Sequence, residues 1–304
     1  MLEVAVVALR WLQYSGAVVL LGTPLFLLYS FRGVDVPNLA WARPTLIVAT
    51  LTVALGSFAA LVAQTGVMAG SLSEAVKPAS LSFVITGTAL GMAMVVRTAV
   101  ALIGLVAVFA LKPGRALWSL TVVVGLAVVA SFAWTGHGAA TDGPGGLPHL
   151  VADVIHAVAA AVWLGALAAL TALLLRRTAP DDLAIHRALH GFSGLGSLAV
   201  VLLVLTGLVN SWFLVGPTGV DDLGAGLYGR LLIGKLVLFA LMLVLAAGNR
   251  LRLTPRLGSA LAAGEDPGRA LQRLRRSIVA ETLAGVLLLA VVAVMGTLAP
   301  PSAL

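Results

Sequence analysis

The most constraining feature of the chain is a series of apolar runs, each about 20 residues long and separated by short polar breaks. A helix rises about 1.5 Å per residue, so one such run covers the ~30 Å hydrocarbon layer of a bilayer. Within hydrocarbon every backbone amide must find its partner inside protein, which leaves helices or closed barrels as spanning structures. These runs are too long, and too rich in Ala, Leu and Gly, for strands. Eight spans are predicted, over residues 8–30, 44–69, 88–111, 117–136, 149–175, 192–216, 231–249 and 278–299. The expected fold class is an all-α integral membrane protein: one polytopic domain over 1–304, built as a bundle of eight transmembrane helices. The segment 71–87 is too polar and too broken by Pro78 to span, and reads as a loop with an interfacial or re-entrant piece. The N-terminus lacks a basic region, short apolar core and cleavage site in that order, so it reads as a retained first span.

Composition agrees: 60% of residues are hydrophobic and 10% charged, outside the range of soluble domains. There is no cysteine, which excludes disulfides, iron–sulfur clusters and thiolate metal sites. Any soft metal ligand must then be methionine, and any borderline one histidine.

The 19 Lys and Arg residues set the topology. Fourteen fall in the odd gaps: Arg32 and Arg43; Lys112 and Arg115; Arg176, Arg177 and Arg187; then Arg250, Arg252, Arg256, Arg269, Arg273, Arg275 and Arg276. The even gaps and N-terminal segment hold Arg10, Lys77 and Arg230, while Arg97 and Lys235 lie within spans. Both termini are therefore expected on the extracytoplasmic side, and residues 250–276 form a basic, amphipathic cytoplasmic linker facing lipid. The net charge of +7 is a topology signal rather than a nucleic-acid footprint, and suits anionic headgroups of the lipid bilayer. The opposite face carries six carboxylates (Glu3, Glu74, Asp142, Asp153, Asp221, Asp222) against three basic residues, a surface that favours approach by cations.

On that face the fifth span opens "PHLVADVIHAVAAAVWLG". Pro148 suits a first helical turn. His149, Asp153 and His156 then fall at i, i+4 and i+7 on one helix face, with Trp163 two turns deeper. The two histidines are ~10.5 Å apart along the axis, too far to share one ion easily, so other helices should contribute. Asp153 is placed to orient an imidazole. His137 in "TGHGAA" closes the neighbouring span between glycines. Met68, Met92, Met94 and Met295 fall at the same level, as does Met1; Met242 alone is mid-membrane. Thioether with imidazole suits Cu(I), and imidazole with carboxylate suits Cu(II). A methionine in a span is nonetheless usually a gap filler.

Elsewhere, His186 and His190 stand at i, i+4 in a basic loop without the glutamate of a protease motif, and read as a polar helix face. Arg97, Lys235 and Glu281 are ionisable groups within spans and need partners or water. For Glu281 the default is an ion pair with Arg250, Arg275 or Arg276; a part in moving charge inward is the alternative. Asn210 and Gln64 read as interhelical hydrogen-bond donors. No nucleophile–base set, phosphate loop or dinucleotide fingerprint is present, so an enzyme is not expected.

The pattern His149, Ala152–Asp153, His156, Trp163, Gly165 resembles the signature of the CopD family of bacterial copper-resistance membrane proteins. The sixth span "FSGLGSLAVVLLVLTGLVNSW", the seventh "YGRLLIGKLVLFALMLVLAAGNR" and the eighth "RRSIVAETLAGVLLLAVVAVMGTLAP" are similar to it as well. The resemblance implies an eight-span cytoplasmic-membrane protein that moves copper inward, served by an extracytoplasmic copper-binding partner of the CopC type. Carried over by position, it implies His137, His149, Asp153 and His156 as the metal-linked residues. Two other classes remain open on the sequence: a b-type haem electron carrier using His137 and His156, and a scaffold that binds copper without moving it.

Overall fold

A computed structural model describes residues 2–31, 39–176, 182–217, 219 and 223–303. Met1, Arg32, Arg177, Asp221 and Asp222 of the reading above lie outside the described residues. The elements in order are α1 (Leu2–Ser30), α2 (Ala42–Ala69), α3 (Leu72–Ala75), α4 (Pro78–Gly87), α5 (Ala89–Ala110), α6 (Arg115–Ser131), α7 (Gly146–Leu175), α8 (Asp182–Leu214), α9 (Leu227–Gly248), α10 (Thr254–Ala262) and α11 (Gly268–Met295). There are no strands among the described residues, and eight helices are long and apolar enough to cross a membrane. The chain is an all-α membrane protein.

The ends of two spans differ from expectation. α8 starts at Asp182 and α11 at Gly268, well before the predicted 192 and 278. Hydropathy fails where charge begins, but helical periodicity continues. Ile185, Ala188 and Leu189 in one extension, and Leu271, Leu274 and Ile278 in the other, form buried stripes under a polar outer face. The segment 250–276 is therefore largely helical rather than an open linker. A π turn (Asn249–Leu253) runs straight from α9 into α10, whose Leu257 is fully buried rather than lipid-facing.

Segment 71–87 folds as α3 and α4. Ser71 caps α3 by accepting a hydrogen bond from the Glu74 amide at 3.2 Å, and Pro78 opens α4, which rests on α5. α4 has 10 residues, too few to span.

α7 is the axis of the bundle, packed on α1, α6, α8 and α11. Its crossing with α1 is set by two glycines. A Cβ on Gly165 would stand 2.5 Å from the Gly22 Cα, so only hydrogen fits there. By contrast α9 is the least enclosed span, with 6% of its apolar window buried against 61% in α7. One end of the bundle gathers the α6–α7 connection, the start of α1 and the C-terminal segment. Arg10 Nη2 donates to the Thr135 carbonyl there at 3.3 Å. The other end gathers the starts of α8 and α11 and the α9–α10 junction, where the arginines cluster. We refer to these as the histidine end and the basic end.

Candidate metal centre

Three short 3-10 turns, Phe132–Thr135, Gly138–Ala140 and Gly143–Gly145, carry the chain from α6 into α7. Glycine permits this route. A Cβ on Gly138 would lie 2.6 Å from Asp153 Oδ2, so the turn carrying His137 sits directly on the Asp153 side chain. The early residues of α7 thus meet the turns that follow α6.

Each imidazole is steered through one ring nitrogen. His137 Nε2 stands 3.0 Å from the Leu298 carbonyl. A carbonyl only accepts, so this nitrogen carries the proton and Nδ1 of the neutral ring keeps its lone pair. His137 also lies edge-on to Tyr228, with centroids 6.3 Å apart. Burial holds its pKa below the ordinary histidine value; the Leu298 hydrogen bond opposes this and Arg10 adds to it. His149, 1% exposed, stacks on Phe213 at 4.7 Å with its Nδ1 2.7 Å from Thr141 Oγ1.

His156 Nδ1 is 2.9 Å from Thr206 Oγ1 on α8. That hydroxyl gives its own hydrogen to the Leu202 carbonyl at 2.6 Å, so it accepts from Nδ1–H, and the lone pair of His156 is on Nε2. Asp153 faces Asn210 of α8 at 3.5 Å, the outer limit of a hydrogen bond. Lys235 of α9 lies within electrostatic reach of both Asp153 and His156. Among the described residues no three His, Asp or Glu side chains converge closely enough to hold one ion. The residues form a polar layer, not a closed cage.

The methionines divide. Met68 and Met92 are exposed, Met94 is buried in a small apolar cluster with Leu61 and Val84, and Met295 is buried one residue before Gly296, over which Arg10 lies. Arg97, 1% exposed, is fully partnered without any carboxylate. It donates to Ser131 Oγ (2.8 Å), the Ser131 carbonyl (3.0 Å), Gln13 Oε1 (3.0 Å) and Thr135 Oγ1 (3.1 Å), and stacks 3.8 Å over Phe132. Ser57 donates to the same Gln13 oxygen at 3.0 Å. Those partners were not visible in the sequence, since Ser, Thr and Gln in spans carry no mark of what they face.

Glu281 departs from its expected ion pair. No arginine reaches it among the described residues: Arg250 donates to Ser197, and Arg275 and Arg276 are exposed. Its partner is Asn249, whose Nδ2 donates to Oε2 at 2.9 Å. Asn210 does cross between helices, whereas Gln64 makes no side-chain hydrogen bond among the described residues.

Fold and site together define a polytopic helical membrane protein with a histidine- and carboxylate-bearing layer at one end. Comparison with known proteins gives that class a family. Residues 1–147 match the model "Copper resistance protein D-like, N-terminal domain", and residues 186–295 match "Copper resistance protein D". The stretch with His149, Asp153 and His156 falls between the two matches. The chain is 38% identical to Copper resistance protein D of Pseudomonas syringae pv. tomato, over 97% of this chain and 96% of that protein. It is 26% identical to Copper transport protein CutJ of Bacillus subtilis, over 78% of this chain and 44% of the relative. With Inner membrane protein YebZ of Escherichia coli it shares 29% identity over 55% of each chain. No solved structure matches. The chain belongs to the copper resistance protein D family.

Proposed function

We propose that the protein takes copper from the extracytoplasmic side at His137, His149, Asp153 and His156 and passes it through the bundle of a bacterial cytoplasmic membrane. The observation that carries this reading is the tautomer pattern. His137 and His156 each have their N–H committed to an acceptor, Leu298 O and Thr206 Oγ1, which leaves the opposite nitrogen with a lone pair. Tying one ring nitrogen to an oxygen is how proteins orient metal-binding imidazoles. Asp153 contributes a carboxylate to this layer.

The orientation rests on the arginine-rich gaps being cytoplasmic. A periplasmic or extracytoplasmic CopC-like copper carrier is the partner that fits such a site, and ligand exchange is the only chemistry required. Lys235, within electrostatic reach of Asp153 and His156, weakens the hold on a cation and so favours release. Met295, at the end of α11, would supply a thioether for Cu(I). Beneath His156 the Trp163 and Phe239 rings meet edge-on at 5.8 Å.

The test is metal analysis and an absorption spectrum of the dialysed, detergent-purified protein, followed by copper flux into proteoliposomes. Stoichiometric copper with flux is expected. Copper retained without flux makes the protein a scaffold, and a Soret band makes it a haem carrier.

A further inference from the structure

Below the Trp163–Phe239 contact lies a cavity of about 930 Å³ at the basic end. Its floor is Trp163, Leu167, Ile278 and Glu281, all buried, and its rim includes the exposed His190, Arg250 and Pro255. Among the described residues two buried oxygens in its lining have no hydrogen-bond partner, Glu281 Oε1 and Asn249 Oδ1, and the Trp163 indole also interacts with Glu281 from α7. Glu281 is 1% exposed and Asn249 8%. Both orphans belong to one pair, already joined by the Asn249 Nδ2 bond to Glu281 Oε2. Exchanging the amide's O and N does not help, since it would set Oδ1 where Nδ2 stands, 2.9 Å from Glu281 Oε2.

An ionised carboxylate offers only acceptors, whereas a protonated one has a single O–H to donate. A proton on Oε1, given to Asn249 Oδ1, would satisfy both orphans and close a two-bond carboxyl–amide pair. Asn249 is the first residue of the π turn, and such turns recur at functional sites because they redirect side chains from an otherwise regular helix.

We propose that Glu281 holds a proton in the resting protein, and that the Glu281–Asn249 pair is a proton–cation exchange site facing the basic-end cavity. The groups around it on the packed helices are consistent with this. α8 presents His186 and His190, the α9–α10 junction presents Arg250, and α7 contributes only uncharged residues. Among the described residues no carboxylate other than Glu281 lines the cavity. A cation reaching the two oxygens displaces the proton from Oε1 to cavity water, leaving a carboxylate beside the amide oxygen; when the cation departs, a proton returns from water. The exchange half rests on the copper reading above, but the resting proton does not.

The proton is tested by infrared difference spectroscopy of the purified full-length protein at neutral pH. Wild type minus Glu281→Gln should show the carbonyl stretch of a protonated carboxyl, downshifted in D₂O. In Asn249→Ala that band should move up as the carbonyl loses its donor. No band in the difference spectrum means Glu281 is ionised, and overturns the proposal. The exchange is tested with a pH-indicator dye in weak buffer on adding copper(I) alone. Glu281→Gln should lower the protons released on adding copper. A band with unchanged proton release overturns the exchange and leaves a purely structural proton. If wild type binds no copper, the copper reading fails, while the infrared result still decides the resting proton.

Discussion

The two ends of the bundle solve the same problem in different ways. At the histidine end polar groups are held by neighbours from other helices: Thr206 and Asn210 from α8, Leu298 beyond α11, and the turn at Gly138. Arg97 nearby has four hydrogen bonds and a ring beneath it. At the basic end the cavity is roomy, and the Glu281–Asn249 pair keeps two buried oxygens without partners. Buried polar atoms without partners among the described residues occur at both ends, Arg10 Nη1 and Asn210 Oδ1 at the histidine end and Glu281 Oε1 and Asn249 Oδ1 at the basic end. Of these only the last two belong to one hydrogen-bonded pair, which a single proton or cation can complete. On the proposed function the first region would select copper and the second release it.

The comparison breaks most visibly on removing the imidazoles. The double variant His137→Ala/His156→Ala should lose all copper retained after dialysis, with its chromatographic profile unchanged, while Glu281→Gln keeps the copper held by the imidazoles. Equal loss in both variants, by metal analysis, would mean that the two regions are not separate in role.

Arg97 marks the structural side of the histidine end. Arg97→Met removes four donors from buried or half-buried acceptors, and should cost about 3 kcal/mol in stability. It is read as a lowered melting temperature in detergent. A variant as stable as wild type would show that the guanidinium is not what organises α1, α5 and the end of α6.

The spans were legible because apolar length is a one-dimensional property, and α7's histidine–aspartate face because i, i+4, i+7 spacing is local. What surrounds them was not. Leu298 is 161 positions from His137, and Thr206 is 50 from His156. Threonine bonded to the carbonyl four residues back is commonplace in these helices, so nothing singles out Thr206 until α8 lies against α7. The Glu281–Asn249 pair was hidden for another reason. Charge counting proposes the nearest arginines as partners, but α11's turn aims Glu281 inward while Arg275 and Arg276 face outward.

pH sharpens the contrast. A ligating imidazole must be neutral, so protonation releases metal. Burial holds the His137 pKa below the ordinary value of about 6.5, so its lone pair survives further into acid. Copper retention should therefore be full at neutral pH and fall on acidification, with its midpoint below about 6.5. A midpoint at or above that value would remove His137 from the ligand set.

The smallest expected effect isolates how the site is oriented. Thr206→Val keeps the shape of the side chain but takes away the oxygen that accepts from His156 Nδ1–H. The ring can then turn, or carry its proton on the nitrogen meant for the metal. Copper affinity should weaken about tenfold, in the range seen when the hydrogen-bond partner of a metal-binding histidine is removed. Thr206→Ser, which retains the hydroxyl, should restore it. Ser57→Ala is the matched control, because Arg97 keeps its bond to Gln13 and nothing at the imidazoles changes. A competition titration on the three variants separates the cases. If valine and serine at position 206 bind alike, the tautomer of His156 is not set from α8, and the ring's lone pair loses its structural warrant.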